Sequence, residues 1–455
     1  MGIGRLIRGF FKPAKNASAP PDSRINAPHI IPRPEHNVSR ANISENALKV
    51  LYRLSQAGHE AYLVGGGVRD LVLERAPKDF DVATSARPDE VKALFKNCRL
   101  IGRRFVLAHI RFGREVIEVA TFRAAHEAAT TAAAGRTENG MIVRDNVYGS
   151  RDEDAARRDL SINCLYYDIR DFSIVDFADG MQDLHDGIIR ILGDPVERYR
   201  EDPVRILRVL RFAAKLDFAI EAGTEAGMAK CARLLADIPP ARLFEEVLKL
   251  FMSGHAVASF EALQRYDVLR LLLPATAAAV DADERAQQLV MLALRNTDLR
   301  ISQNKPVTPA FLFAAMLWPV VQARMQDREL QELPAAMAIE QAGARAVSEQ
   351  VKVVAIPKRF SLMSREIWAL QPRLLDRRGR RPAKLLENPR LRAAYDFLLL
   401  RAESGEALEK DAIWWTKFLE SDGTAVPLES APAARRPRRR RRRRGPPPEH
   451  AETAQ

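Results

Sequence analysis

The stretch VGGGVRDLVLERAPKDFDVAT, residues 64–84, decides how the first half of this chain is interpreted. A triple glycine is followed by two aspartates, Asp79 and Asp81, with one phenylalanine between them. Taken alone, a glycine run is usually a tight turn and an acidic pair usually lies on a surface strand. Here the flanking Phe80, Val82 and Ala83 favour a strand, which predicts that both carboxylates project from the same face.

Two carboxylates on one face repel each other unless a cation lies between them. Mg²⁺ binds a few carboxylate oxygens together with substrate phosphates, and two such ions can hold an attacking hydroxyl and a leaving pyrophosphate. Glycines between a strand and a helix let backbone amides approach phosphate oxygens, and a helix N-terminus favours negative charge. No Gly-Lys-Ser/Thr follows the glycines, so the stretch is not a Walker A loop.

The surrounding pattern is mixed α/β up to about residue 179 and helical afterwards. A helix is predicted over 42–58, strands at EAYLVGG, DFDVATS, RFVLAHIRF and EVIEVATFR, and helices at GVRDLVLER and RPDEVKALFK. The later segment EDPVRILRVLRFAAKL, residues 201–216, has apolar residues at helical spacing and arginines at 205, 208 and 211. The pattern predicts an α/β head followed by a long helical body.

A chain of 455 residues is too long for one hydrophobic core. We expect a basic disordered arm at 1–40, a catalytic head at 41–180, and a helical neck at 181–260 that binds nucleotide and RNA. A helical body and C-terminal RNA-binding region is expected at 261–425, and an Arg-rich disordered tail at 426–455. Residues 123–150, rich in Ala and Thr, are predicted to form a mobile loop.

The positive charge of the chain is concentrated at its two ends. Residues 1–40 carry a net charge of +5 and residues 431–455 a net charge of +7, which together equal the +12 of the whole chain. Nine arginines lie between Ala434 and Gly445. Such runs suit the phosphates of RNA or DNA; the alternative is a solvated tail with no defined partner.

Cysteine usage and hydropathy favour a cytoplasmic protein. Cys98, Cys164 and Cys231 are isolated in the sequence and form neither a disulfide framework nor a zinc motif. No apolar run is long enough to span a membrane, and the apolar run near residue 1 is too short for a signal peptide. Residues 1–15 could instead form an amphipathic helix, which leaves weak membrane association as an alternative.

Four ordered motifs beside the opening stretch resemble one family. They are IEVATFR (117–123), ARRDLSINCLYYD (156–168), DGMQDLHDGIIRILGDP (179–195) and EDPVRILRVLRFAAKL (201–216). With residues 64–84 they resemble the class II nucleotidyltransferases, which include bacterial poly(A) polymerases and CCA-adding tRNA nucleotidyltransferases. The resemblance covers about residues 45–260. It implies an α+β fold with a small nucleotidyltransferase head and an all-helical neck and body.

The resemblance also implies a two-metal site. Asp79 and Asp81 match the family's metal-binding carboxylates, with Mg²⁺ as the ion and Mn²⁺ as an alternative. Glu118 is the candidate for a third acid, because Glu115 lies at an odd offset along the same strand and would face the other way. The alternative for Glu118 is an ordinary solvent-exposed glutamate.

Nucleotide binding is implied for residues in three motifs: Gly65, Gly66, Arg69, Arg157, Arg158, Asp202, Arg205, Arg208 and Arg211. Asp159 of the Arg-Arg-Asp motif would contact the nucleotide sugar and counts with Asp79 and Asp81 as catalytic. Asp202 and Arg205 would read the base in place of a template.

Each of these assignments has a structural alternative. Arg69 and Asp70 could simply brace the glycine turn, and EDAARRD could be an exposed helix with i,i+4 ion pairs. Arg208 and Arg211 could belong to a surface basic stripe, and His109 is interpreted as structural.

The implied reaction is attack of an RNA 3′-hydroxyl on the α-phosphate of ATP with release of pyrophosphate. The resemblance favours polyadenylation over CCA addition on three features: the GRRFVLAHIRFG strand, the basic tail, and the FLFAAMLWP and IWALQPRLL segments of the helical region. A CCA-adding enzyme and a non-catalytic RNA-binding protein are the alternatives. We expect a monomer whose partners are RNA 3′ ends and RNA-decay proteins.

Overall fold

The structure is a computed structural model that describes residues 27–102, 106–124, 134–136, 142–145 and 147–421. The first 26 residues of the predicted arm, most of the predicted loop at 123–150, and the whole predicted tail at 426–455 lie outside the described residues. In the described part of the chain, no helix is both long enough and apolar enough to cross a membrane.

Strands and helices alternate in the first part of the chain, and helices follow. The strands are β1 His29–Ile31, β2 Ala61–Val64, β3 Asp81–Thr84, β4 Cys98–Ile101, β5 Leu107–Phe112, β6 Glu115–Thr121, β7 Ala134–Arg136, β8 Ile142–Asp145, β9 Leu165–Asp168, β10 Ile174–Asp176, β11 Ile188–Ile189 and β12 Ala219–Ile220. The helices are α1 Glu45–Gln56, α2 Gly66–Val72, α3 Pro88–Leu94, α4 Arg151–Ala156, α5 Gly180–Asp186, α6 Pro195–Glu201, α7 Val204–Leu216, α8 Ala222–Cys231, α9 Pro240–Phe251, α10 Ala256–Arg265, α11 Leu269–Leu272, α12 Pro274–Ala282, α13 Glu284–Ser302, α14 Pro309–Arg324, α15 Arg328–Gln331, α16 Ala335–Val353, α17 Lys358–Leu374, α18 Arg381–Leu385, α19 Leu391–Glu403 and α20 Glu409–Glu420. The prediction of an α+β fold is confirmed.

The central feature of the head is an eight-stranded sheet with strand order β1-β10-β9-β2-β3-β6-β5-β4. Neighbouring strands are antiparallel except β3 and β6, which are parallel. β2 lies beside β3 at the middle of the sheet, so the glycine turn after β2 and the start of β3 meet at the same edge. This topology places the opening stretch of the sequence at the centre of the head.

One part of the predicted arm is ordered into the sheet. Residues 29–31 form β1, which pairs with β10, and Ile31 is buried. Prolines at 28 and 32 flank this three-residue strand, so the local composition suggests an arm although the apolar side chain has a place in the core. The boundary of the arm predicted at residue 40 is therefore too far along the chain.

α7 has the two faces that its sequence predicts. Its apolar positions, including Ile206, Leu207, Val209 and Leu210, are buried, whereas its arginines at 205, 208 and 211 are partly exposed. α7 packs against α9 and α10 on its apolar side. The three arginines therefore lie on the side of α7 that is not buried against α9 and α10.

The chain divides into two compact units, one ending at Arg365 and the other beginning at Glu366. The first contains the sheet and α1–α16. The second contains the end of α17 and α18–α20, packed around Leu374, Leu398, Trp415 and Phe418. This division falls inside the segment 261–425 that the sequence analysis treats as one region.

Candidate active site

The glycine turn joins β2 directly to α2. Gly65 has φ 68° and ψ −131°, a backbone conformation open to glycine because it has no Cβ. A Cβ at Gly65 would lie 3.3 Å from Nη1 of Arg158, so the turn also leaves room for that guanidinium. Gly66 begins the helix. The local sequence therefore places a bare backbone turn against an arginine.

Asp81 is the first residue of β3 and lies opposite Glu118 in the parallel pairing with β6. Residues in register on neighbouring strands share a face of the sheet, so the two carboxylates project to the same side. Burial is the main cause that raises the pKa of Asp81 to about 6; Glu118 and Asp79 act in the same direction, and Arg158 opposes them. A carboxylate in this position is stabilised by a cation.

Asp79 lies just before the strand and is exposed. The predicted strand alternation therefore does not reach Asp79, although its charge acts on Asp81. Among the described residues, no group of three or more His, Cys, Asp or Glu side chains forms a metal cage by itself. The donor set of carboxylate oxygens fits Mg²⁺ or Mn²⁺ in a site that substrate phosphates complete.

The two glutamates of β6 have different surroundings. Glu115 accepts hydrogen bonds from Ser44 Oγ and from Asn46 Nδ2, so it fixes the start of α1. Glu118 is 47% exposed, and its Oε1 lies 3.0 Å from Nε2 of His109 without hydrogen-bond geometry. Only Glu118 shares the face of Asp81. His109, interpreted as structural from the sequence, is the neighbour of this candidate third acid.

Arg158 connects the glycine turn to the segment that follows α4. Its Nε donates to Tyr166 Oη at 2.7 Å, and its Nη2 donates to Asp154 at 3.2 Å. The i,i+4 pair with Asp154 is the alternative that the sequence raised, but the Arg-Arg-Asp motif itself lies beyond the last residue of α4. Arg158 is held rigidly beside Gly65 and close enough to Asp81 to lower its pKa.

Arg157 binds the backbone at Ala124. Its Nη1 donates to the carbonyl of Ala124 at 2.6 Å, and burial together with nearby arginines lowers its pKa to about 9. Arg198 of α6 donates to the backbone carbonyls of both Arg157 and Arg158, at 2.8 and 2.6 Å. The neck thus holds the backbone of the motif in place.

Asp159 is bound by an arginine of α7. Nε of Arg208 donates to Asp159 Oδ2 at 2.5 Å, and the backbone amide of Leu160 donates to Oδ1 at 2.9 Å. Burial alone would raise the pKa of Asp159, but Arg208 holds it well below its usual range. The predicted sugar contact and a predicted phosphate contact are thus partners in an ion pair between head and neck.

The EDxxR motif lies where α6 ends and α7 begins. Glu201 accepts hydrogen bonds from Arg198 and Arg205, each at 2.8 Å. Asp202 Oδ2 accepts from Nη2 of Arg242, on α9, at 2.6 Å. The two predicted base-reading side chains, Asp202 and Arg205, are both oriented by partners within the neck.

The remaining predicted arginines surround the ring of Phe212. Arg69 is 2% exposed, and it donates to Asp70 and to Asn163 Oδ1. This burial favours bracing of the turn over direct substrate contact. Arg211 lies 4.5 Å from the ring centroid of Phe212, and its buried Nε has no hydrogen-bond partner among the described residues. Burial and Arg208 lower the pKa of Arg211.

Several residues that shape the site escaped the sequence analysis: Asn163, Tyr166, Arg198 and Arg242. Arg242 is 40 residues from Asp202, and Asn163 is 94 residues from Arg69. No spacing rule connects residues so far apart. The single sequence signal was the high arginine content of the segments around 198–211.

Comparison with known proteins finds three family models that match separate parts of the chain. Family models match residues 61–190 ("Poly A polymerase head domain"), 217–280 ("Probable RNA and SrmB- binding site of polymerase A") and 331–446 ("Polymerase A arginine-rich C-terminus"). Poly(A) polymerase I of Salmonella typhimurium is 48% identical over 91% of this chain and 92% of its own length.

CCA-adding enzymes are more distant relatives. The enzyme of Lactobacillus helveticus is 39% identical over 47% of this chain and 52% of its own length. Among solved structures, the Thermotoga maritima CCA-adding enzyme with tRNA has a TM-score of 0.56 at 19% identity, covering 86% of this chain and 87% of that chain. That likeness shows a shared fold.

Proposed function

The chain belongs to the bacterial poly(A) polymerase I family, and from this premise we propose that it adds AMP from ATP to RNA 3′ ends without a template. Pyrophosphate is the leaving group. The observation that carries the proposal is similarity to poly(A) polymerase I over 91% of the chain, against 47% for a CCA-adding enzyme. We place the reaction in bacterial RNA polyadenylation and decay.

Asp79 and Asp81 are proposed to hold the metal ions, with Glu118 as a third acid. The raised pKa of Asp81 and its shared face with Glu118 support this assignment. When bound, Mg²⁺ would supply Lewis-acid activation of the 3′-hydroxyl and neutralise charge on the pyrophosphate. The carboxylates orient the ions, and the glycine turn leaves space for phosphate beside them.

For the triphosphate, we assign the backbone of Gly65 and Gly66 and the guanidinium of Arg158. Arg158 is fixed by Tyr166 and Asp154, so it can meet phosphate oxygens with little loss of side-chain entropy. Arg208 and Arg211 extend the positive surface along α7. Arg69 and Arg157 act through the geometry of the turn and the motif, because their donors already bind protein acceptors.

For the nucleoside, we assign Asp159 to the ribose and Asp202 with Arg205 to the base. Asp159 keeps acceptor capacity beyond its bond to Arg208, since a carboxylate has about four lone-pair positions. Asp202 is likewise held by Arg242 on one oxygen. Protein side chains in fixed positions would then select the base, as the absence of a template requires.

The first experiment supplies purified protein, Mg²⁺ and a 3′-hydroxyl RNA that is not a tRNA with ATP alone, CTP alone or both. Long tails with ATP alone are the expected result, and Asp79→Ala/Asp81→Ala should abolish them. Addition of two or three residues only to a truncated tRNA would instead identify a CCA-adding enzyme. RNA binding without extension by the natural chain would leave a non-catalytic RNA-binding protein.

We propose the division into arm, head, neck, body and tail as given from the sequence, with the ordered boundary of the arm moved to before residue 29. The tail would bind RNA phosphates, and its removal at residue 431 should weaken RNA binding while nucleotide addition at high RNA concentration persists. We further propose that the chain is a monomer, that it is cytoplasmic and that its partners include RNA-decay proteins. We also propose weak membrane association through residues 1–15, which vesicle flotation would test.

A further inference from the structure

A basic surface lies at the turn between α17 and α18, in the second compact unit. Residues 373–392 contain eight basic residues, at 373, 377, 378, 380, 381, 384, 390 and 392, and two acidic residues, at 376 and 387. The net charge of this short segment is therefore +6, in a region that the sequence analysis treated as near-neutral overall. We call the exposed Arg373, Arg378, Arg380, Arg381 and Lys384, together with the partly exposed Trp414 of α20, the α17–α18 surface.

The acids near this surface do not neutralise it. Asp376 pairs with both Arg378 and Arg381, so one carboxylate serves two guanidinium groups. Arg373, Arg380 and Lys384 are exposed and make no ion pair with any residue that the structure describes. An uncompensated cluster of this kind attracts a polyanion, and arginine matches phosphate geometry especially well.

A partly exposed aromatic side chain contacts this segment through Arg377. Arg377 lies 5.8 Å from the ring centroid of Trp414 and pairs with Asp411 of the same helix, α20, at 3.4 Å. Trp414 stacks on Phe418 with centroids 4.8 Å apart. Of the four tryptophans in the chain, Trp318, Trp368 and Trp415 are at most 1% exposed, whereas Trp414 keeps accessible surface.

We propose that the α17–α18 surface binds single-stranded RNA, with its basic side chains on the phosphates and Trp414 against a base. Basic grooves with aromatic side chains are the usual way to hold a single strand without sequence preference. The choice of RNA over another polyanion rests on the proposed function. The surface lies outside the match to the RNA-binding family model at 217–280 and inside the match to the arginine-rich C-terminus model at 331–446.

The test measures binding of a fluorescent oligoadenylate of about 20 nucleotides to the full chain without ATP. Arg380→Glu/Lys384→Glu should weaken binding about tenfold near 0.1 M salt and make the salt slope shallower by about 2. The control Lys305→Glu/Lys352→Glu makes the same change of net charge at exposed sites of the first unit that have no ion pair within the part of the chain that the structure describes. Equal weakening by both pairs, or no weakening by the first, would overturn the proposal.

Tryptophan fluorescence tests the aromatic contact separately. RNA should quench the intrinsic fluorescence, and Trp414→Phe should remove most of that quenching. Trp414→Leu should weaken binding about fivefold, within the range measured for loss of a base–aromatic stack. Quenching that survives in Trp414→Phe would exclude stacking on Trp414.

A third experiment distinguishes RNA from an anionic membrane as the partner of this surface. A membrane could also contact the exposed Leu375, Leu386 and Ile413 of the same unit. Vesicles containing phosphatidylglycerol are offered to the natural chain and to the Arg380/Lys384 variant. Loss of vesicle binding with unchanged RNA binding would overturn the proposal and assign the surface to lipid. None of these measurements requires AMP addition, so failure of the proposed activity would leave them interpretable.

Discussion

Arg242 of α9 donates to Asp202 at 2.6 Å, and thereby ties a predicted base-reading carboxylate to a helix 40 residues further along the chain. Both side chains are mostly buried, with 28% and 16% of their surfaces exposed. A charge-assisted bond of this length fixes the direction of the remaining lone pairs of Asp202. Under the proposed assignment of Asp202 to the base, base selection depends on how firmly α9 holds the end of α6.

Arg242→Gln should lower selectivity for the base. We expect kcat/KM for ATP to fall about tenfold, or about 1.4 kcal/mol of transition-state stabilisation, and the ratio of ATP to CTP incorporation to fall with it. Arg285→Gln removes an exposed ion pair with Asp283 and should change neither quantity. A loss that is equal for ATP and CTP would mean that Arg242 supports only the fold.

The ion pair between Asp159 and Arg208 predicts a pH-dependent loss of stability. Arg208→Gln leaves a buried carboxylate without its cation, which should lower the free energy of unfolding by about 2 kcal/mol at pH 7. In the natural chain the lowered pKa of Asp159 keeps this contribution intact above pH 4. In the variant, burial would raise that pKa, so the deficit should shrink as the pH falls.

Urea unfolding at pH 7 and pH 4.5 measures this change. A deficit of the same size at both values would show that Asp159 is not the group responsible. Asp159→Asn/Arg208→Gln provides the reference in which no carboxylate remains to titrate.

Gly65→Ala should weaken ATP binding in addition to the loss of stability that backbone strain causes. The left-handed φ costs about 1–2 kcal/mol for a residue with a Cβ, and the added atom would lie 3.3 Å from Arg158. Gly113→Ala is the matched control, because Gly113 has φ 61° but no heavy atom within 4 Å of the Cβ position. We expect both variants to lose stability and only Gly65→Ala to raise KM for ATP.

Glu118 and Glu115 should separate activity from stability. Glu118→Gln removes the third acid and should lower kcat at least about tenfold without changing the melting temperature. Glu115→Gln weakens the bonds from Ser44 and Asn46 and should cost about 1–2 kcal/mol of stability with kcat retained. Activity loss in Glu115→Gln at a temperature where the variant is folded would contradict this division.

Asp81→Asn should stabilise the metal-free protein while abolishing activity. The pKa of Asp81 is raised to about 6 in the folded chain, so its stabilising contribution is complete at low pH and is lost as the pH rises through 6. The neutral variant avoids that loss, and we expect a gain of about 1–2 kcal/mol at pH 7.5. Unfolding in EDTA at pH 5 and pH 7.5 should show a gain at both values that is larger at pH 7.5, because the cost of ionising Asp81 builds up between pH 3.8 and about 6.

Local sequence rules predicted the parts of the head in which neighbours in the chain determine the structure. The glycine turn, α2 and β3 lie where residues 64–84 indicated, and the odd offset between Glu115 and Glu118 correctly separated their faces. The same rules missed β1, because a three-residue strand between prolines has no periodicity to detect.

The spacing of residues in the sequence could not predict which side chains of the head and neck contact each other. Asp159 and Arg208 are 49 residues apart, and each was predicted to contact the nucleotide rather than the other. Their pairing depends on how α7 packs beside the segment after α4, which follows from the tertiary fold. The sequence indicated charged residues for the proposed site but could not say which of them bind each other.

The parallel pairing of β3 with β6 has a consequence for how the head folds. The chain must pass through α3, β4 and β5 before Glu118 can lie beside Asp81, whereas the hairpin of β5 and β6 closes over two residues. Local contacts generally form before distant ones. We therefore expect Asp81 and Glu118 to meet late in folding, and a nascent chain interrupted before β6 to hold Asp79 and Asp81 without the third acid.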